Sequence, residues 1–232
     1  MSRLPDRLPA LAGFLFAGGV LLQNGILLQG NPLPSAPIPA IQAFYAERSG
    51  AVGLAVGWVA VNVPLLLTFG AGVSARLERH PAAAVFGRVG FAGLVLLAAA
   101  FGSTTWLQAV LAARAPQLAA AGQLELVWDL HSAAFAGSGT ALCVTLAAFS
   151  LGAWTEGLVP RWTAALGLLG AASLLGSGLL AVGTLDGGVG IYLQLAGFAA
   201  WVVWLLTASV RLWAGRPPPG HAAAQPAVSP SS

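Results

Sequence analysis

Apolar residues gather into six long runs along this chain, separated by short stretches that hold most of its charges and prolines. The runs cover about 8–28, 51–74, 83–106, 128–153, 163–183 and 190–212. Each is close to the ~20 residues that carry an α-helix across the hydrocarbon core of a bilayer. The expected fold is all-α: a polytopic transmembrane bundle of six helices occupying residues 1–215. The tail, 216–232, is rich in proline, alanine and serine, cannot bury a core and is expected to be disordered.

The stretches between the runs supply turn signals. Residues 31–50 include Pro32, Pro34, Pro37 and Pro39, which argues against a regular helix there, with a short interfacial turn expected over Ile41–Glu47. Pro81 and Pro160 are placed to open the third and fifth helices. Arg114-Ala115-Pro116 marks a break, after which Pro116 opens an extramembrane helix ahead of the fourth span. Leu185-Asp186-Gly187-Gly188 reads as a tight turn. A cleaved signal peptide competes for the first run, because Ile38-Pro39-Ala40 resembles a cleavage site. The run is about 21 residues against the 7–15 of a signal core, so an uncleaved helix is expected. Pro9, Pro81 and Pro160 each precede an apolar helix, a loose pattern of three helical hairpins.

Charge adds the orientation. Only 7% of residues are charged and 57% are hydrophobic, whereas a soluble domain carries about 25% charge. Mean hydropathy is +0.82. There are ten arginines and no lysine. Arg3, Arg7, Arg76, Arg79, Arg88, Arg161, Arg211 and Arg216 fall on the side of the amino terminus, and only Arg48 and Arg114 on the other. Positive residues stay cytoplasmic, so both termini are expected inside. Trp106, Trp128, Trp154, Trp162 and Trp213 fall at span ends, as interfacial anchors do. The arginines are scattered singly, which argues against a nucleic-acid partner. Cys143, the single cysteine, excludes an internal disulfide or a multi-cysteine metal or redox site. With no HExxH, phosphate loop or nucleophile elbow in the sequence, neither a metal nor a cofactor is expected.

Candidate chemistry is sparse. Gly53/Gly57, Ala133/Gly137 and Ser173/Ser177 are small-xxx-small pairs suited to close helix packing. Pro64, two residues after Asn62, frees the carbonyl of Ala60 near the middle of the second span, which implies a packing kink or a polar gate. The tentative ligand-binding set is Gln23, Asn24, Asn62, Asp129, His131 and Gln194, with Ser103–Thr105 and Ser132 at similar depth. Polar groups there must either bond between helices or line an outward-opening cavity. Glu125, Asp129 and His131 form the only titratable cluster. Glu125 and Asp129 share a helix face, with Arg48 or Arg114 expected nearby to relieve their repulsion. His131 lies about 200° around the helix from Asp129, toward the neighbouring helices and Gln23, Asn24 or Gln194. Arg88 is expected to snorkel or to pair with Glu78 or Glu156.

Trp128-Asp-Leu-His131, Leu158-Val-Pro-Arg161-Trp162, Leu166-Gly167-Leu168-Leu169-Gly170, Trp204 and Arg211 resemble a group of uncharacterised bacterial six-helix membrane proteins of GC-rich genomes, known as domains of unknown function. Tyr45-Ala-Glu-Arg48 fits the same pattern. That resemblance implies topology and no activity. The function expected is a non-enzymatic, multi-pass module of the bacterial cytoplasmic membrane. It would bind a small or lipidic ligand, or support a membrane partner protein, through its outer polar pocket. A small transporter-like protein is one alternative. An enzyme acting on a lipid through Glu125, Asp129 and His131 is another.

Overall fold

A computed structural model describes residues 4–215, with side chains from Arg7 onward. The described chain folds into helices α1 (Leu4–Leu27), α2 (Ile38–Gly57), α3 (Val59–Leu77), α4 (Pro81–Ala120), α5 (Leu124–Glu156), α6 (Arg161–Leu179), α7 (Ala181–Leu185) and α8 (Gly190–Ala214). Six stretches are long and apolar enough to cross a membrane: Arg7–Leu27, Ile38–Leu77, Pro81–Ala120, Leu124–Glu156, Arg161–Leu179 and Gly190–Ala214. The tail lies outside the described residues.

The long helices close into a ring. In chain order α1, α3, α4, α5, α6 and α8 each pack on the next, and α8 returns to α1. Phe16, Leu66, Phe69, Leu146, Phe149, Trp204 and Leu205 fill part of its centre. Close approach depends on glycine at a few points. A Cβ on Gly90 would strike the Phe149 ring, and one on Gly170 would lie 2.6 Å from the Cβ of Ala200. Arg7 stands 4.9 Å from the Trp213 ring centroid and ties the two chain ends together.

Helix length divides the ring into two halves. At about 1.5 Å per residue, α1, α6 and α8 (24, 19 and 25 residues) are roughly 30–40 Å long, one bilayer core or a little more. The 40-residue α4 and 33-residue α5 reach roughly 60 and 50 Å, and the stretch Ile38–Leu77 is as long as α4. The surplus forms a cap with its own core, in which Ile41, Phe44, Tyr45 and Val52 of α2 meet Leu111 and Ala115 of α4 and Leu124 and Trp128 of α5.

This cap corrects several expectations. Residues 38–50 are helical, because Pro37 and Pro39 sit where a helix starts and a missing backbone donor costs nothing. Pro116 does not break the chain: it lies inside α4, exposed and close to its end. The helices that hold the second, third and fourth apolar runs therefore extend beyond 51–74, 83–106 and 128–153. The α4–α5 turn falls instead at Gly122, whose φ of 68° ends α4. There Gln123 N–H donates to the Leu118 carbonyl at 2.8 Å. Pro9 lies within α1 rather than before it, while α1 with α3, α4 with α5 and α6 with α8 pack as three consecutive pairs. Trp128 is buried in the cap core instead of standing at an interface, since α2 covers it.

Two of the small-residue pairs do not pack within the chain. A Cβ on Gly53, Gly57 or Gly137 would meet nothing within 4 Å. Ser173 does mediate packing, donating to the Leu193 carbonyl at 2.9 Å. The boundary between α2 and α3 falls at Trp58, where the helical bonds from Trp58 N–H to the Leu54 carbonyl and from Asn62 N–H to the Trp58 carbonyl persist, and Pro64 lies inside α3, where it can make no such bond.

Opposite the cap, the arginine-rich end is drawn together by Glu156. Its buried carboxylate lies 3.4 Å from Arg76 Nε and 2.8 Å from His80 Nε2, joining the α3–α4 turn to the end of α5. Arg88 is exposed and takes neither Glu78 nor Glu156.

Candidate functional site

Where the short helices end, the ring is hollow. A chamber of about 250 Å³ lies between the walls of α4 and α5 and the turns that close the short half. Each wall is one face of a helix. On α4 it is Phe101, Thr104, Thr105 and Gln108, spaced i, i+3, i+4, i+7; on α5 it is Trp128, His131, Phe135 and Ser138. Gln23, Asn24 and Leu28 of α1 complete the side. Residues 31–34 and Thr184–Leu185 cover it. The proline-bearing loop is fixed there because Trp128 Nε1 donates to the Pro34 carbonyl at 2.8 Å.

A second chamber of about 100 Å³ continues toward the ring centre, lined by all six ring helices. Asn24, Leu28, Phe101, Phe135, Ser138 and Leu195 line both. Besides Asn24 and Ser138, its polar groups are Asn62, whose Nδ2 donates to Gln23 Oε1 at 2.9 Å, and Gln194, whose Nε2 donates to the Phe135 carbonyl at 3.0 Å. Gly19 allows α1 to approach α3 here, since a Cβ would lie 2.7 Å from Trp58 Nε1.

Of the sequence-derived set, the larger chamber brings together Gln23, Asn24 and His131, and the smaller one Asn24, Asn62 and Gln194. Asp129 is the exception. It is exposed and lines neither chamber, because the inward face of α5 is set by Trp128, His131 and Phe135. Glu125 is exposed as well, so the three titratable groups do not converge. Among the described residues no ion pair joins either carboxylate to Arg48 or Arg114, and no group of three His, Cys, Asp or Glu side chains could hold a metal. Arg48 serves α1 instead. Its guanidinium donates to the Gln29 carbonyl, to Gln29 Oε1 (3.2 Å) and to the Ile26 carbonyl (3.4 Å), where a helix end leaves acceptors unused.

His131 does not make the expected hydrogen bond. It is 6% exposed and stacked on Trp128 with ring centroids 5.2 Å apart, and neither ring nitrogen has a partner. Gln108 and Ser132, also buried on the chamber wall, lack protein partners too. The hydroxyls of Thr104, Thr105 and Ser138 donate to carbonyls of their own helices and keep lone pairs to offer. A buried polar group without a partner costs about 1–3 kcal/mol; at Gln108 and Ser132 a polar molecule in the chamber would offset that cost, whereas the His131 nitrogens are sealed off from it.

Gln108, Phe101 and Phe135 were missed by sequence reasoning. The α4 periodicity of Phe101, Thr104, Thr105 and Gln108 carries the signal, but only once the helix is known to continue beyond Trp106. Comparison with family profiles, curated proteins and solved structures returns no match for the chain.

Proposed function

We propose that this protein is a non-enzymatic module of the bacterial cytoplasmic membrane that binds a small or lipidic ligand in the chamber beneath its cap. The observation carrying this reading is the 250 Å³ cavity itself, on whose wall Gln108 and Ser132 present polar groups that no protein partner takes up. Orientation rests on the arginines: the crowded end is cytoplasmic, both termini lie inside, and the cap faces out. The short helices then end near the outer membrane surface, which puts the chamber at headgroup depth.

An enzyme built on Glu125, Asp129 and His131 gains no support, because the carboxylates are exposed while His131 faces inward. The test is native mass spectrometry of the purified protein and of Ser138→Leu, which fills the junction of the two chambers. The wild type should carry an adduct that the variant lacks. A wild type free of any adduct, with a thermal midpoint unmoved by membrane lipid extract, would end this reading.

A further inference from the structure

Resting on that reading, we infer that the chamber takes an uncharged, single-chain amphiphile with a hydroxylated head, the chemistry of a monoacylglycerol. Charge is the first constraint. No Asp, Glu, Lys or Arg side chain lines either chamber. A phosphate, carboxylate or ammonium head would lie there without a counter-ion, which costs far more than burying a neutral one.

Hydrogen bonding is the second. The polar groups on the wall of the larger chamber offer donors and acceptors together. Gln108 is 7% exposed and neither end of its amide has a protein partner; the Ser132 hydroxyl, on a residue 5% exposed, has none either. Gln23 accepts from Asn62 through Oε1 and keeps its amide N–H groups. Asn24 donates to the Val20 carbonyl and keeps Oδ1. Thr104 and Thr105 donate along α4 and keep lone pairs. A carbonyl or ether head only accepts, so the Gln108 and Asn24 oxygens would gain no donor from it. A hydroxyl does both, and two adjacent hydroxyls answer several of these groups at once.

Shape supplies the third constraint. In the smaller chamber Asn62 and Gln194 already donate to protein acceptors, and the wall past Phe16, Leu97 and Leu142 is apolar. A cavity of about 150 Å³ admits benzene. Chambers of about 250 and 100 Å³ therefore hold one head and part of one chain, not the paired tails of a phospholipid. Leu28 and Leu195 line both chambers yet are 61% and 45% exposed. They stand just past α1 and on α8, which are neighbours in the ring, so the rest of the chain leaves sideways between those helices.

The test uses full-length protein in an amine-oxide detergent, whose head carries no hydroxyl, and three probes: monodecanoylglycerol, methyl decanoate and decyl phosphate. Monodecanoylglycerol should raise the thermal midpoint by several degrees and methyl decanoate by clearly less, with decyl phosphate inert. Gln108→Leu and Ser132→Ala should each raise the monodecanoylglycerol concentration for half the shift about five- to tenfold, and shrink its advantage over the ester. Each removes a polar group that has no protein partner, so both variants should fold as well as wild type. Equal shifts from monodecanoylglycerol and the ester, a larger shift from decyl phosphate, or indifference of monodecanoylglycerol binding to both variants would each overturn the hydroxylated head. An adduct in native mass spectra that monodecanoylglycerol does not displace would overturn it too, while leaving ligand binding intact. No adduct and no shift with any probe would mean a chamber that holds water only, and would remove the two readings together.

Discussion

Gly90 and Gly53 are the same residue in helices of the same protein, yet they answer opposite demands. At Gly90 the aromatic ring of Phe149 lies where a Cβ would go, and that ring is held against Trp204, 5.9 Å away and nearly parallel. It has no free direction in which to retreat. Gly90→Ala should therefore destabilise the protein by about 1–3 kcal/mol, the usual cost of overpacking. Gly53 meets nothing within 4 Å, so Gly53→Ala should be neutral or stabilising by up to about 1 kcal/mol through better helix propensity. Thermal unfolding of the two variants in one detergent checks both. Equal losses would mean that Gly53 packs against something, a second copy of the chain included. Spacing alone could not separate the two glycines. The GxxxG of Gly53 and Gly57 is present in the sequence, but which way it faces depends on where α2 lies against α4. The same limit explains Asp129. Its polarity and depth were legible, whereas its direction follows from Trp128 being drawn into the cap core.

Elements, more than residues, account for the difference between expected and observed architecture. Proline is read as a breaker, yet Pro37 and Pro39 stand at the start of α2 and Pro116 near the end of α4, two places where its missing donor does little harm. Six apolar runs were visible because lipid-length hydrophobicity is a strong signal. The extensions of α4 and α5 were not, because their residues alternate small, apolar and polar groups as any half-exposed helix does. Those extensions make the candidate site. They hold Trp128, whose indole bonds the Pro34 carbonyl and keeps the loop over the chamber. Trp128→Phe retains an aromatic ring against Tyr45 and His131 but removes that donor. Stability should fall by about 1 kcal/mol, the worth of one hydrogen bond. Amide exchange should accelerate in residues 31–36 and stay unchanged in α6. Unaltered exchange in the loop would show that it is held by other contacts.

At the scale of the whole molecule, the two ends of the ring are fastened by different means. The cap end uses an apolar core, and the arginine-rich end uses Glu156 with Arg76 and His80. Glu156 is buried while its partners are partly exposed, so Glu156→Gln removes the buried charge and leaves Arg76 and His80 with side chains that water can reach. The expected loss is about 1–2 kcal/mol, less than the 3–5 for stranding a charge in a core. The variant's midpoint should also respond less to added salt. Orientation depends on the same asymmetry. Eight arginines on one side against two on the other are the basis for proposing that the ring's Glu156 end is cytoplasmic, and one of the two exceptions, Arg48, is occupied with carbonyls at the end of α1. A reporter active only in the periplasm should then work when fused after Ser35 or Gly122, at the cap end, and stay silent after His80 or Gly215. Activity after Gly215 would require an odd number of crossings. A fully reversed pattern would keep the six crossings but put the chamber on the cytoplasmic side, where a ligand would have to be delivered from the inner leaflet.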